Sequence, residues 1–118
     1  MFALTGELNF YLYSKPTDMR KGFDGLSGIV SGELKKNPAS GDVFIFINRP
    51  QNKLKLLHWE SGGFVLYYKR LESGTFDLPR IEKGSKGLQI KWSDLVMMVE
   101  GIRMEKYSLK KRFSFRQG

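Results

Sequence analysis

The chain has 118 residues, which suits one domain with its own core. Its 41% hydrophobic and 14% aromatic content excludes disorder throughout, and its lack of cysteine excludes disulfides, thiolate nucleophiles and thiolate metal sites. A net charge of +8 favours polyanionic partners, yet the segment from Arg103 onward holds six basic residues and one acid, leaving only +3 for the body.

Absence of cysteine fits a reducing compartment, with the cytoplasm as the default expectation. The N-terminal MFALTGELNF lacks a basic stretch followed by a long apolar one, and no apolar run approaches the ~20 residues that span a bilayer, so no membrane partner is expected.

Phe10 to Tyr13 is a short aromatic run stopped by Ser14, Lys15 and Pro16, which predicts a strand and then a turn. Met19, Phe23, Leu26, Val30 and Leu34 recur at spacings of three and four, with Ile29 widening the stripe, which predicts a helix from about Met19 to Lys35. Thr17 or Asp18 is the expected N-cap, and Lys35 and Lys36 suit the negative end of the helix dipole. Gly22, Gly25, Gly28 and Gly32 interrupt this helix, and each costs up to ~1 kcal/mol relative to alanine. Close approach of another backbone is the reason expected for them.

After the punctuation of Asn37, Pro38, Ser40 and Gly41, the unbroken run Val43 to Ile47 predicts a buried strand. A polar turn at Asn48 to Asn52 leads into Lys53 to Trp59 and Phe64 to Leu71, two β-rich runs separated by the loop Glu60 to Gly63. The three runs predict an antiparallel meander. Phe76 and Leu78 are expected in extended geometry, and Leu88 to Trp92 as a further strand. Ser93 and Asp94 open a second helix that ends near Gly101, with Leu95, Met98, Val99 and Ile102 on one face.

The fold class expected is α+β: an antiparallel sheet of four or five strands with two helices, forming a single domain over residues 1–102. Residues 103–118 are expected to be a basic arm, since Tyr107, Leu109, Phe113 and Phe115 are too few to close a core. Short edge strands leave homodimerisation by strand pairing open.

Asp18, Arg20, Lys21 and Asp24 cluster at the start of the first helix. Two carboxylates there suggest a divalent-metal site for phosphodiester chemistry, but no third acid follows at a supporting spacing. An N-cap at Asp18 and an Asp24–Arg20 pair account for them instead, so neither catalysis nor a cofactor is expected. Arg20 and Lys21 are candidate phosphate ligands at the helix N-terminus. His58, the single histidine, shares strand parity with Leu54 and Leu56 and is expected to be structural.

Arg49, Lys53, Lys55, Lys69 and Arg70, beside Trp59, Tyr67 and Tyr68, supply cations and aromatics for gripping a nucleic-acid backbone. An ordinary solvated face is the alternative. Strand alternation puts Lys53 and Lys55 on the Trp59 side and sends Tyr67 and Tyr68 to opposite faces, so at least one tyrosine belongs to the core. Lys110, Lys111 and Arg112, with Phe113 and Phe115, form the charged part of the arm, suited to nucleic acid or to an acidic partner protein.

Four ordered blocks carry a resemblance: PTDMRKGFDGL (Pro16 to Leu26), SGDVFIFINR (Ser40 to Arg49), KLLHWESGGFVLYYKRLESGTFDLP (Lys55 to Pro79) and VEGI (Val99 to Ile102). Together they resemble the TnpB accessory proteins of the IS-sixty-six insertion-sequence family, which are distinct from the RNA-guided nucleases of the same name. His58-Trp59-Glu60 departs from the usual aromatic-Trp-Asp, and Asp77-Leu78 replaces an aromatic before Pro79. The resemblance implies a non-enzymatic companion of a DDE-type transposase. Taken with the basic tail and hairpin cations, it makes DNA at the element ends, the transposase and other element-encoded proteins the expected partners. Two further readings stay open: an adaptor that touches only proteins, and a metal-dependent nuclease using Asp18 and Asp24.

Overall fold

The computed structural model describes residues 7–100, which form β1 (Phe10–Tyr13), α1 (Phe23–Gly32), β2 (Val43–Ile47), β3 (Lys53–Glu60), β4 (Gly63–Arg70), β5 (Gly87–Ile90) and α2 (Trp92–Val99). Every residue of β2 is buried, which is why its run has no polar alternation: the strand lies mid-sheet and is covered on both faces. The strand order is β4-β3-β2-β1-β5.

The expected meander is present, with Val43 opposite His58 across β2 and β3, and Lys53 opposite Arg70 across β3 and β4. The turn between β3 and β4 is tighter than the four-residue loop expected. Glu60 faces Gly63, and only Ser61 (φ 50°) and Gly62 (φ 81°) lie between them, both in the left-handed geometry that suits a two-residue hairpin. One pair departs from an all-antiparallel sheet: β1 runs parallel to β2, with Phe10 beside Val43. The intervening α1 carries the chain back to the end of the sheet where β1 began, as a parallel connection requires. β5 then joins the outer side of β1 antiparallel.

Alternation along the strands builds a core on each face. Phe10, Leu12, Val43, Ile45, Ile47, Leu54 and Leu56 face Leu95 and Met98 of α2, together with Phe76. Tyr13, Phe44, Phe46 and Leu57 face Leu26 and Val30 of α1. Phe76 forms no strand; its N–H donates to the Gln51 carbonyl at 2.7 Å, and its ring is buried in the α2-side core. Among the described residues no helix is long and apolar enough to cross a membrane.

α1 is shorter than the Met19 to Lys35 stretch that periodicity predicts. Asp18 does not cap it; the Asp18 carboxylate accepts the Arg20 N–H at 2.9 Å and holds residues 18–20 in a separate turn, so α1 begins after Gly22 without a side-chain cap. It ends at Gly32 with Glu33 as its C-cap; Lys35 lies beyond it in left-handed geometry (φ 56°), and Lys36 lies over the Tyr11 ring at 4.2 Å. Phe23, expected on the apolar face, is instead 47% exposed.

The glycine expectation is also corrected. A Cβ at Gly22, Gly28 or Gly32 would meet nothing within 4 Å, and one at Gly25 would meet only the Lys21 side chain. Close approach occurs at Gly87, where a Cβ would lie 2.8 Å from Leu34 Cδ2 and 3.0 Å from the Leu12 carbonyl oxygen.

α2 starts close to where Ser93-Asp94 predicts. Asp94 serves its first turn, accepting the Lys91 N–H at 3.3 Å. Leu95 and Met98 are buried and Val99 half-buried, whereas Gly101 and Ile102, as well as the predicted arm 103–118, lie outside the described residues.

Candidate nucleic-acid interface

Three separate segments meet at one end of the α1 face of the sheet. The first is the turn Pro16 to Arg20, tied to β2 by the Thr17 N–H, which donates to the Ile47 carbonyl at 2.8 Å. The second is the loop between β2 and β3. Its Asn48 side-chain oxygen accepts the N–H groups of Asn52 (3.0 Å) and Lys53 (2.9 Å), while its amide donates to Asn52 Oδ1 at 2.8 Å. With the backbone bonds from Asn48 N–H to the Lys53 carbonyl (3.1 Å) and from Gln51 N–H to the Asn48 carbonyl (3.0 Å), these fix the loop that projects Arg49. The third is the end of β4, with Tyr68 and Arg70 on the α1 side.

Between these segments lies a groove of about 580 Å³ whose lining includes Asp18, Arg20, Arg49, Lys53 and Tyr68. A second depression of about 340 Å³ shares Lys53 and Tyr68 and extends to Arg70 and Glu72. Four cations and two carboxylates thus line one continuous surface around a half-exposed tyrosine ring.

The cations differ in their freedom. Arg20 is held by Asp18: Nη2 donates to Oδ2 at 2.7 Å, and Nε lies 3.1 Å and 3.0 Å from the two oxygens. This bidentate pair replaces the predicted Asp24–Arg20 pair. The guanidinium and the Arg20 N–H hold the Asp18 carboxyl down at about 2. Arg70 donates to Glu72 at 2.9 Å. Among the described residues, no ion pair or hydrogen bond engages the Arg49 guanidinium or the Lys53 ammonium.

Two predicted phosphate ligands are committed inside the fold. Lys55 is 6% exposed; its ammonium donates to the carbonyls of Met19 (2.7 Å) and Lys21 (2.8 Å) and sits 4.7 Å from the Tyr68 ring centre. It clamps the Pro16–Lys21 segment to the sheet. Lys69 points to the other face, where its ammonium donates to the Val99 carbonyl at the end of α2. Both are corrected from surface ligand to structural clamp. Lys21 is exposed beside the groove, and Lys110, Lys111 and Arg112 lie outside the described residues.

Tyr67 is half-buried on the α2 side and Tyr68 half-exposed on the α1 side, as alternation requires. His58 is buried on the α2 side with Leu54 and Leu56, its Nε2 3.5 Å from Glu60 Oε2. Asp24 lies exposed in the first turn of α1, and no group of three or more metal-ligating side chains occurs among the described residues. Sequence reasoning missed the role of Asn48; the available signal was an asparagine at a strand end, followed by Arg-Pro.

Comparison with known proteins places the chain. The family model described as "IS66 Orf2 like protein" matches residues 8–109. An uncharacterised protein, y4jC, of Sinorhizobium fredii (strain NBRC 101917 / NGR234) is 30% identical over 95 residues, covering 80% of each chain. A second from the same organism, y4hO, is 37% identical over 86 residues, or 73% of each chain. No solved structure matches. The match across nearly all of the described fold, with both relatives aligned over most of their lengths, means that the chain belongs to the IS66 Orf2-like family of transposition-associated accessory proteins.

Proposed function

We propose that the protein binds the DNA phosphate backbone at the ends of its insertion sequence, alongside the transposase and without catalysis. The observation that carries this reading is the convergence of Arg20, Arg49, Lys53 and Arg70 around Tyr68 from segments distant in the chain. Arg49 and Lys53 are the primary ligands because neither must leave a carboxylate partner. Arg20 and Arg70 exchange Asp18 and Glu72 for phosphate on binding, and Lys21 adds a flanking charge. The tail residues Lys110, Lys111 and Arg112 contribute further contacts. Recognition is mainly independent of sequence, since phosphates position a protein without encoding bases.

The test is the salt dependence of affinity for element-end duplex DNA. Each phosphate contact removed lowers the log–log slope by roughly 0.9. Replacing Arg49 and Lys53 together by Gln is expected to lower it by about 1.8 on that relation. An unchanged slope overturns the groove as the DNA site.

A second reading, a protein–protein adaptor, draws on a separate observation. Trp92 and Val96, one turn apart on the outer side of α2, are 37% and 36% exposed. This reading expects the transposase to co-purify after nuclease treatment; a partner bridged by DNA disappears.

A further inference from the structure

Among the described residues the sheet has two edges, and they differ. β5 is four residues long and includes Gly87. β4 is eight residues long and pairs with β3 in an unbroken register from Lys53–Arg70 to Glu60–Gly63, so no bulge turns it away. Natural edges are blunted by charge, proline, bulges or short length. From Gly63 to Tyr68, the run GFVLYY, β4 has none of these.

The hairpin settles which backbone groups face outward. In a two-residue hairpin the flanking pair, Glu60 and Gly63, exchanges hydrogen bonds, and bonded pairs then alternate along the ladder. The same parity holds at the far end, where the Leu71 N–H donates to the Asn52 carbonyl at 2.8 Å. The N–H and C=O groups of Phe64, Leu66, Tyr68 and Arg70 therefore point away from β3. Phe64, Val65, Leu66 and Tyr67 are half-buried and Tyr68 is 50% exposed, whereas all of β2 is buried. Apolar surface is left to water on both faces of this edge.

We propose that β4 pairs antiparallel with β4 of a second copy, continuing the sheet across a two-fold axis. The strand is self-complementary in that direction. Antiparallel pairing brings the Lys69–Arg70 end of each copy toward the Glu60 end of the other hairpin, whereas parallel pairing stacks like charges. The axis is perpendicular to the sheet, so α1 of both copies lies on one side. The pairing rests on the edge alone and not on the DNA reading. For that reading it means two grooves opening on the same side, which duplicates the phosphate contacts of one copy.

The decisive measurement is the solution mass of the full chain, by sedimentation equilibrium. Twice 13.6 kDa is expected, and a mass of 13.6 kDa at the highest soluble concentration overturns the proposal. Leu66→Pro removes an outward N–H and no bond to β3. It is expected to keep the far-UV circular dichroism of the parent and to sediment as a monomer; a folded variant that remains dimeric overturns the seam.

If Leu66→Pro does not fold, cysteine crosslinking decides. The chain has no cysteine, so a single one reports on its own position. Same-face pairing over the full length of β4, Gly63–Arg70, puts either residue 66 or residue 67 on the two-fold axis. Oxidation of Leu66→Cys or Tyr67→Cys is expected to give a crosslinked dimer, while Asp24→Cys on α1 gives none. Crosslinking no greater than that control at both positions overturns the proposal.

Discussion

The Lys55 ammonium gives two of its three donors to carbonyls and lies beneath an aromatic ring in a residue only 6% exposed, so little of it is open to a phosphate. Lys55→Met is therefore expected to lower stability by about 1–3 kcal/mol, the penalty for leaving buried polar partners unmet, measured by urea unfolding. A Lys55→Met protein of parental stability with a reduced salt slope in DNA binding overturns the clamp assignment. Asp18 acts in the opposite sense, because it occupies Arg20 at the groove. Asp18→Asn is expected to raise DNA affinity roughly twofold to fivefold, the range set by an exposed ion pair; lower or equal affinity contradicts a phosphate role for Arg20. The sign with pH follows from the depressed carboxyl. Its contribution is fully present above the ordinary aspartate value of about 3.9 and is lost as pH falls through about 2. An NMR titration of Asp18 should show its midpoint near the lower value. Residue type and spacing made Arg20 and Lys55 look alike as cations; what packs over each separates them.

At the level of elements, period-two and period-three-to-four patterns located β1, β2, β3, β4 and α2 within a few residues, since both signals are local. They failed where a side chain redirected the backbone. Asp18 and the Lys55 clamp draw residues 18–21 into a turn, so Met19 belongs to the apolar stripe without belonging to α1. The helix glycines and Gly87 give a paired test. Gly28→Ala places its methyl in open space and is expected to stabilise by about 0.5–1 kcal/mol through helix propensity. Gly87→Ala drives a Cβ against Leu34 and the Leu12 carbonyl and is expected to destabilise by about 1–3 kcal/mol. Thermal unfolding of the two variants decides: equal shifts overturn the assignment of close approach to Gly87. Gly87 was not legible in the sequence because its neighbours come from β1 and from the chain just after α1.

For the whole molecule, net charge is a poor guide until it is located. The excess of +8 divides into +3 for the body and +5 from Arg103 onward, and the groove gathers four cations against two carboxylates. Ending the chain at Ile102 extends the salt test proposed for Arg49 and Lys53. The tail is expected to account for roughly 0.9 of slope per phosphate it contacts, and equal slopes with and without it remove the tail from binding. Family, fold class, the meander and the α2 face were readable from the chain alone, because ordered motifs and apolar periodicity are properties of contiguous residues. The parallel β1–β2 pair, the inward turn of Lys55 and Lys69, the groove built around Tyr68 and the place of β4 at an edge among the described residues were not. Each depends on which distant segment covers a given face, and alternation tells only that a face exists, not what lies against it.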